Sequence, residues 1–297
     1  MAEVRERALD VLEEVDVEGD AEDPRLRDGF VYEMLIAHEH QHNETMLQLL
    51  QMVDGYEPPD LGPAPATASG GEGEGVVEIP AGSHEVGAPD RGFAYDNERP
   101  RHEVELGAFL IDLAPVTNAE FAAFVEETGA EPPMYWERDG GGWVTTVFGR
   151  REPLAGWAPV VHVDHGQAAA YAAHNGKRLP TELEWEVAAA GADVDAANLD
   201  HAAFATLPPG PETASDAGAR GLIGDVWEWT SSDFEAYPGF EAFPYPEYSE
   251  VFYGDGYKVL RGGSWATRRN VIRTSFRNWD LPERRQILSG FRCARNA

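Results

Sequence analysis

Apolar residues recur at helical spacing up to Val53, then thin out, then return in short clusters. The first zone predicts two helices, from Ala2 to about Val15 and from about Pro24 to Val53, divided by the acidic stretch VEGDAED. Residues 54–75 are Pro, Gly, Ala and Glu with almost no large apolar side chain, which is the composition of a linker. From Val76 onward, runs such as VVEIP, HEVELGAFLIDLAPV and YKVLRGGSW are broken by Gly, Pro and Asp clusters. Short strands with many turns follow from that text. Two segments there return to helical spacing: NAEFAAFVEETG and, after RLP, TELEWEVAAAG. No repeat of fixed period occurs. The pattern predicts an α+β chain with much irregular structure, divided into a helical segment (1–53), a linker (54–75) and a second domain (76–297).

Composition narrows the setting. The 297 residues are 42% hydrophobic, enough for one large core or two modest ones. Cys293 is the single cysteine, so no intramolecular disulfide forms. No apolar run approaches the roughly 18 residues that span a bilayer, and no secretory leader follows Met1. The expected setting is cytoplasmic. The formal charge of -30 repels phosphate backbones and anionic lipid, which excludes nucleic acid and membrane surfaces as partners. Lys177 and Lys258 are the only lysines; the Arg bias fits a high-GC coding sequence as well as any functional demand.

Local chemistry is concentrated in LIAHEHQHNETMLQLL. His38 and His42 stand at i and i+4 on one helical face, with Leu35, Thr45 and Leu49 continuing the stripe. That stripe predicts that the pair points where the helix packs. Gln41 borders the same face and His40 is turned away from it. Two imidazoles on adjacent turns can chelate a divalent transition metal, or can be packed and hydrogen-bonded in an interface. Glu44 is either a carboxylate that orients a histidine or a solvated helix residue. Glu39 lacks the surroundings of a zinc-protease base.

Further along, RLPTELEWEVAAAG, GDVWEWTSS, VLRGGSWA and GFRCAR follow PVTNAEFAAFV in order. Together they resemble the formylglycine-generating-enzyme-like domain, which has a C-type-lectin-like fold. Trp185, Trp227, Trp229 and Trp265 in these motifs offer large buried area and an N–H that needs a partner. Gly262 and Gly263 permit close backbone approach. Formylglycine-generating enzymes use a cysteine pair, which a chain with Cys293 alone cannot supply.

An HxxxH helix, a linker and this domain in succession resemble the non-haem iron sulfoxide synthases of ergothioneine biosynthesis, the hercynine oxygenases. There a DinB-like helical domain meets the lectin-like domain and the active site lies between them. The resemblance implies an Fe(2+) cofactor held in part by His38 and His42, with Gln41 contacting hercynine. SFRNWDLPERRQILSGFRCAR resembles the family's substrate-binding segment. It implies that Asn278 receives hercynine's charged end, that Trp279 offers a cation–π face, and that Asp280 takes the amino group of γ-glutamylcysteine. YPEYSEVFYGDGYKVLRGGSWA resembles the stretch with the catalytic tyrosine; Tyr245 matches it, and Tyr248 is the rival three residues on. The resemblance also implies a longer helical segment with a third iron histidine. This sequence has 37 residues before His38 and no histidine among them. The expectation is therefore a shortened chain, a degenerate paralogue, or a chain completed by a partner polypeptide.

Overall fold

In the computed structural model, residues 2–16, 19, 21–53, 55–56 and 75–297 are described. The linker predicted over 54–75 lies almost wholly outside them.

Two helices lead the chain: α1 (Ala2–Glu14) and α2 (Phe30–Gln51). The second starts later than Pro24 because Asp28 (φ 53°) and Gly29 (φ 66°) adopt left-handed backbone and break the 3-10 turn before it. A right-handed helix cannot run through such residues.

The rest of the chain is built on small sheets. Strands β1 (Val76–Ile79), β4 (Phe109–Asp112) and β12 (Ala294–Asn296) form one antiparallel sheet, with β1 and β12 on opposite sides of β4. Strands β2 (Gly82–Val86) and β3 (His102–Leu106) pair as a two-stranded ribbon. Strands β5 (Trp136–Asp139), β6 (Gly142–Val147) and β7 (Arg150–Pro153) form a meander. The central sheet has the order β10-β9-β8-β11, with β8 (Trp227–Asp233), β9 (Lys258–Arg261), β10 (Asn278–Asp280) and β11 (Ser289–Gly290). Its edge strand β10 pairs antiparallel with β9, placing Asn278 opposite Leu260 and Asp280 opposite Lys258.

Three helices pack on these sheets: α3 (Asn118–Thr128), α4 (His165–His174) and α5 (Glu182–Ala188). Each begins with a reciprocal cap, Thr117 with Glu120, Asp164 with Gln167 and Thr181 with Glu184. Helical spacing predicts α3 and α5 but not α4. The text HGQAAAYAAH is short and alanine-rich, so its buried stripe of Ala168, Tyr171 and Ala172 gives little periodic signal.

The tryptophans anchor the core. Trp185 Nε1 donates to Glu228 (2.9 Å), Trp229 Nε1 to the Val163 carbonyl (2.9 Å) and Trp227 Nε1 to Glu44 (2.7 Å). Buried arginines close the charge balance: Arg292 is bound by both oxygens of Glu228, and Arg277 by both oxygens of Glu182. Gly262, at φ 93°, is required where it stands, because a Cβ would lie 2.4 Å from the Leu222 carbonyl oxygen.

Candidate functional site

Helix α2 lies along the domain, and the residues that fasten it decide what its histidines face. Phe30 packs on Phe93 and Phe243, Ala37 enters the main core, and Leu47 and Leu50 join the cluster around Trp265. Gln51 acts as a two-sided clamp on the loop after β6, donating to the Thr146 carbonyl (2.7 Å) and accepting from Phe148 N–H (2.6 Å).

Glu44 is the central fastening. Its carboxylate is 6% exposed and accepts from Trp227 Nε1, Ser264 Oγ and Thr267 Oγ1, each at 2.7 Å. Burial pushes its pKa up, and the three donors work against that rise. Neither expectation for Glu44 holds: it orients no histidine and is not solvated. The packing face of α2 therefore runs through Phe30, Ala37, Glu44 and Gln51, and the predicted stripe is displaced from it. Leu35 (55% exposed) and Leu49 (53%) are left in water, and His38 and His42 are exposed on the same flank. His40, opposite them, lies half-buried on the domain side and within electrostatic reach of His201.

Beside this flank a cavity of about 430 Å³ opens between α2 and the central sheet. His38, Gln41 and His42 border it from α2; Asn278, Trp279 and Asp280 border it from β10. Residues separated by more than 230 positions thus share one wall, as the sequence reading expected of the two segments. The histidine rings are 4.5 Å apart, centroid to centroid, and tilted by 54°.

Gln41 is held from two sides. Its Nε2 donates to Tyr248 Oη (3.3 Å) and its Oε1 accepts from Tyr95 Oη (3.4 Å). Tyr95 stacks on Tyr248 at 4.1 Å between centroids, and Trp279 meets Tyr248 edge-on at 5.8 Å. Burial raises both phenols, Tyr95 to about 12 and Tyr248 well above the usual range. Tyr248 borders the cavity; Tyr245 does not, being 38% exposed, with its ring 6.5 Å from that of Tyr248. Tyr248 is the rival expected three residues after Tyr245, whereas Tyr95 lies in a segment, YDNE, that carries no catalytic signature.

On the facing strand, Asn278 Oδ1 accepts from Trp279 N–H and Asp280 Oδ1 from Leu281 N–H, so both carboxamide and carboxylate also brace their own turns. Burial raises the pKa of Asp280, while Leu281 N–H and Arg284 Nε (3.0 Å) oppose the rise. Arg284 borders the cavity beside it, a residue the sequence reading did not single out. Trp279 stacks on Phe234 at 4.2 Å, which fixes its indole against the pocket.

The two imidazoles suit two coordination positions of a divalent metal. Among the described residues no third His, Cys, Asp or Glu groups with them, so the chain's described part offers a partial donor set. Residues 38–42 read HEHQH and so match the spacing of the zinc-protease HExxH pattern, but Glu39 is exposed and outside the cavity wall, leaving no base beside the pair. Cys293 is buried and its thiol is pushed far up by burial, which leaves it inert.

Residues 63–297 match the sulfatase-modifying factor enzyme 1-like domain. The chain is 41% identical over 335 residues to the hercynine oxygenase of Mycolicibacterium smegmatis, covering 99% of this chain and 76% of that protein. It is 40% identical over 338 residues to that of Mycolicibacterium thermoresistibile, covering 99% and 73%. Among solved structures, PvdO from Pseudomonas aeruginosa superposes with a TM-score of 0.56 at 23% identity, over 75% of this chain and 94% of that one. That likeness carries the fold, and the formylglycine-generating-enzyme-like, C-type-lectin-like architecture expected from the motifs is the one present.

Proposed function

Because this chain belongs to the hercynine oxygenase family, we propose that it joins hercynine to γ-glutamylcysteine with dioxygen and Fe(2+), forming a C–S bond and a sulfoxide. The imidazole C–H and thiol S–H bonds break, the C–S and S–O bonds form, and the second oxygen atom leaves as water. The observation that supports this most directly is the cavity shared by Gln41, His38 and His42 with Asn278 and Asp280.

His38 and His42 would hold iron(II), which supplies the activation of dioxygen and a seat for the donor's sulfur. Gln41, locked between Tyr95 and Tyr248, presents its amide to hercynine's imidazole. Asn278 takes hercynine's charged end, and the indole of Trp279 suits its trimethylammonium. Asp280 receives the donor's α-ammonium, with Arg284 beside it for the carboxylate. Tyr245, the tyrosine the resemblance names, would deliver the proton that directs the outcome to sulfoxide; Tyr248, which borders the cavity and is bonded to Gln41, is its rival. A further ligand would come from a helical segment or a partner polypeptide laid over the exposed flank of Leu35 and Leu49. The reading places the protein in the cytoplasm; no described helix is long and apolar enough to cross a membrane.

A second reading is a related synthase that uses cysteine or unmethylated histidine, or a binding paralogue that acts only with a partner; the partial donor set among the described residues bears on the last of these alone. Mass spectrometry of reactions with iron(II), hercynine and each thiol separates the readings. The expected product is the γ-glutamylcysteinyl sulfoxide. Tyr245→Phe should divert turnover to the thiol's sulfinate, whereas the same diversion in Tyr248→Phe alone would exchange the tyrosines' roles. Absence of any C–S product, together with iron content unchanged by paired Ala replacement of His38 and His42, would sink the proposal.

A further inference from the structure

A second cavity, of about 140 Å³, lies against the last turns of α2. Its wall is mostly apolar, with Leu47, Phe148, Phe204, Trp265 and Leu288, interrupted by the polar groups of Asn118 and Thr206. Its outer end is bordered by exposed Arg150 and Pro153, so it meets solvent. The wall is braced, because Gln51 ties α2 to the backbone of Thr146 and Phe148. His162 also borders it, with Nδ1 paired to the Ile287 carbonyl (3.0 Å); burial lowers its pKa to about 4, so that wall is uncharged near neutrality.

Gln48 is the one side chain that borders both this cavity and the cavity of His38 and Asp280. Its half-buried amide makes no hydrogen bond among the described residues. The His38 cavity is polar, and two polar organic substrates would fill it together with their water. An apolar diatomic gas partitions poorly into such a space and more readily into one with a mostly apolar wall. We propose that the Leu47–Trp265 cavity is the route and holding site by which dioxygen reaches the reaction site, with Gln48 as the gate between the two spaces. The proposal rests on the oxygenase reading of the neighbouring cavity.

Two measurements test it, one independent of turnover. Under oxygen pressure, the methyl signals of Leu47, Val161 and Leu288 should show paramagnetic relaxation well above that of the core methyls Val259 and Leu260. The Thr45 methyl, on the far side of Gln48, should show it too. Ala203→Trp and Ala155→Trp, two half-buried wall positions, should each abolish the effect at Leu288. In steady-state turnover the same variants should raise the KM for oxygen by about fivefold or more with kcat at saturating oxygen and the KM for both organic substrates unchanged. No relaxation enhancement at the cavity methyls would overturn the holding site. Enhancement combined with an unchanged oxygen KM in both filled variants would overturn the route. A chain that shows the enhancement and turns over no substrate would instead count against the oxygenase reading, and leave the gas site standing.

Discussion

Asp280 and Asp225 show how differently two buried carboxylates behave. Asp280 sits at a cavity wall with Arg284 at 3.0 Å and space before it, so its charge is available to a ligand. Asp280→Asn should raise the KM for γ-glutamylcysteine about 10- to 150-fold, the worth of a charge-assisted hydrogen bond, and leave that for hercynine nearly unmoved. Equal damage to both substrates would make it a brace for its loop. Asp225 borders neither cavity described above: its Oδ1 accepts from Asn198 Nδ2 and Leu207 N–H, both at 2.7 Å, and burial pushes it up to about 7. A carboxyl whose folded pKa is raised binds more protons than the unfolded chain does between its two pKa values. Its contribution to stability is therefore greatest below about pH 4 and is lost as pH climbs to about 7. Asn keeps the carbonyl acceptor, so Asp225→Asn should be near neutral at pH 4 and stabilising by a few kcal/mol at pH 8 in urea titrations. Parallel stability curves for the two proteins would mean that Asp225 is ionised throughout. His162 contributes the opposite slope, losing stability as pH falls from about 6.5 to about 4.

Helix α2 depends on the domain beneath it. Its fastening runs through one acidic side chain, since Glu44 satisfies three buried donors at once. Glu44→Ala orphans all three. At about 1–3 kcal/mol for each unsatisfied group, reduced where water enters, the docking should weaken by about 3 kcal/mol. Hydrogen exchange reads this directly: α2 amides should exchange much faster in Glu44→Ala, while β8 and β9 keep their protection. An unchanged α2 would show that Phe30 and Leu47 hold the helix without it. Helix α1 has no buried residue at all, with Val4, Leu9 and Val11 in water. Short helices without tertiary support are marginal, so α1 amides should exchange fastest among the helices in the wild-type chain.

At the scale of the whole molecule, 53 acidic residues face 23 basic ones. Added salt screens both the surface ion pairs, such as Arg151 with Asp139, and the repulsion among the excess acids. Exposed pairs are worth little individually, while the excess acts over the whole surface. The repulsion should dominate. As the Debye length contracts from about 30 Å at 0.01 M to about 8 Å at 0.15 M, Tm should rise by several degrees in calorimetry. A falling Tm would assign the larger role to the ion pairs.

The His38–His42 pair stands out by helical spacing, and the ordered tryptophan motifs mark the lectin-like domain; Gln41, Asn278, Trp279 and Asp280 are singled out only by the family resemblance. Helical spacing marks α3 and α5 because that pattern is local, while α4, with the same kind of reciprocal cap, gives too short a stripe to read. What periodicity could not decide was the direction α2 faces: a stripe of Leu35 and Leu49 reads as a buried face, yet a buried carboxylate with three distant donors outweighs it. Glu44 finds Trp227, Ser264 and Thr267 only across some 180 to 220 residues of chain. Partners so remote leave no mark in local pattern. For the same reason, Tyr95 and Arg284 join the site, and Tyr248 rather than Tyr245 borders it, only once the loops are folded together.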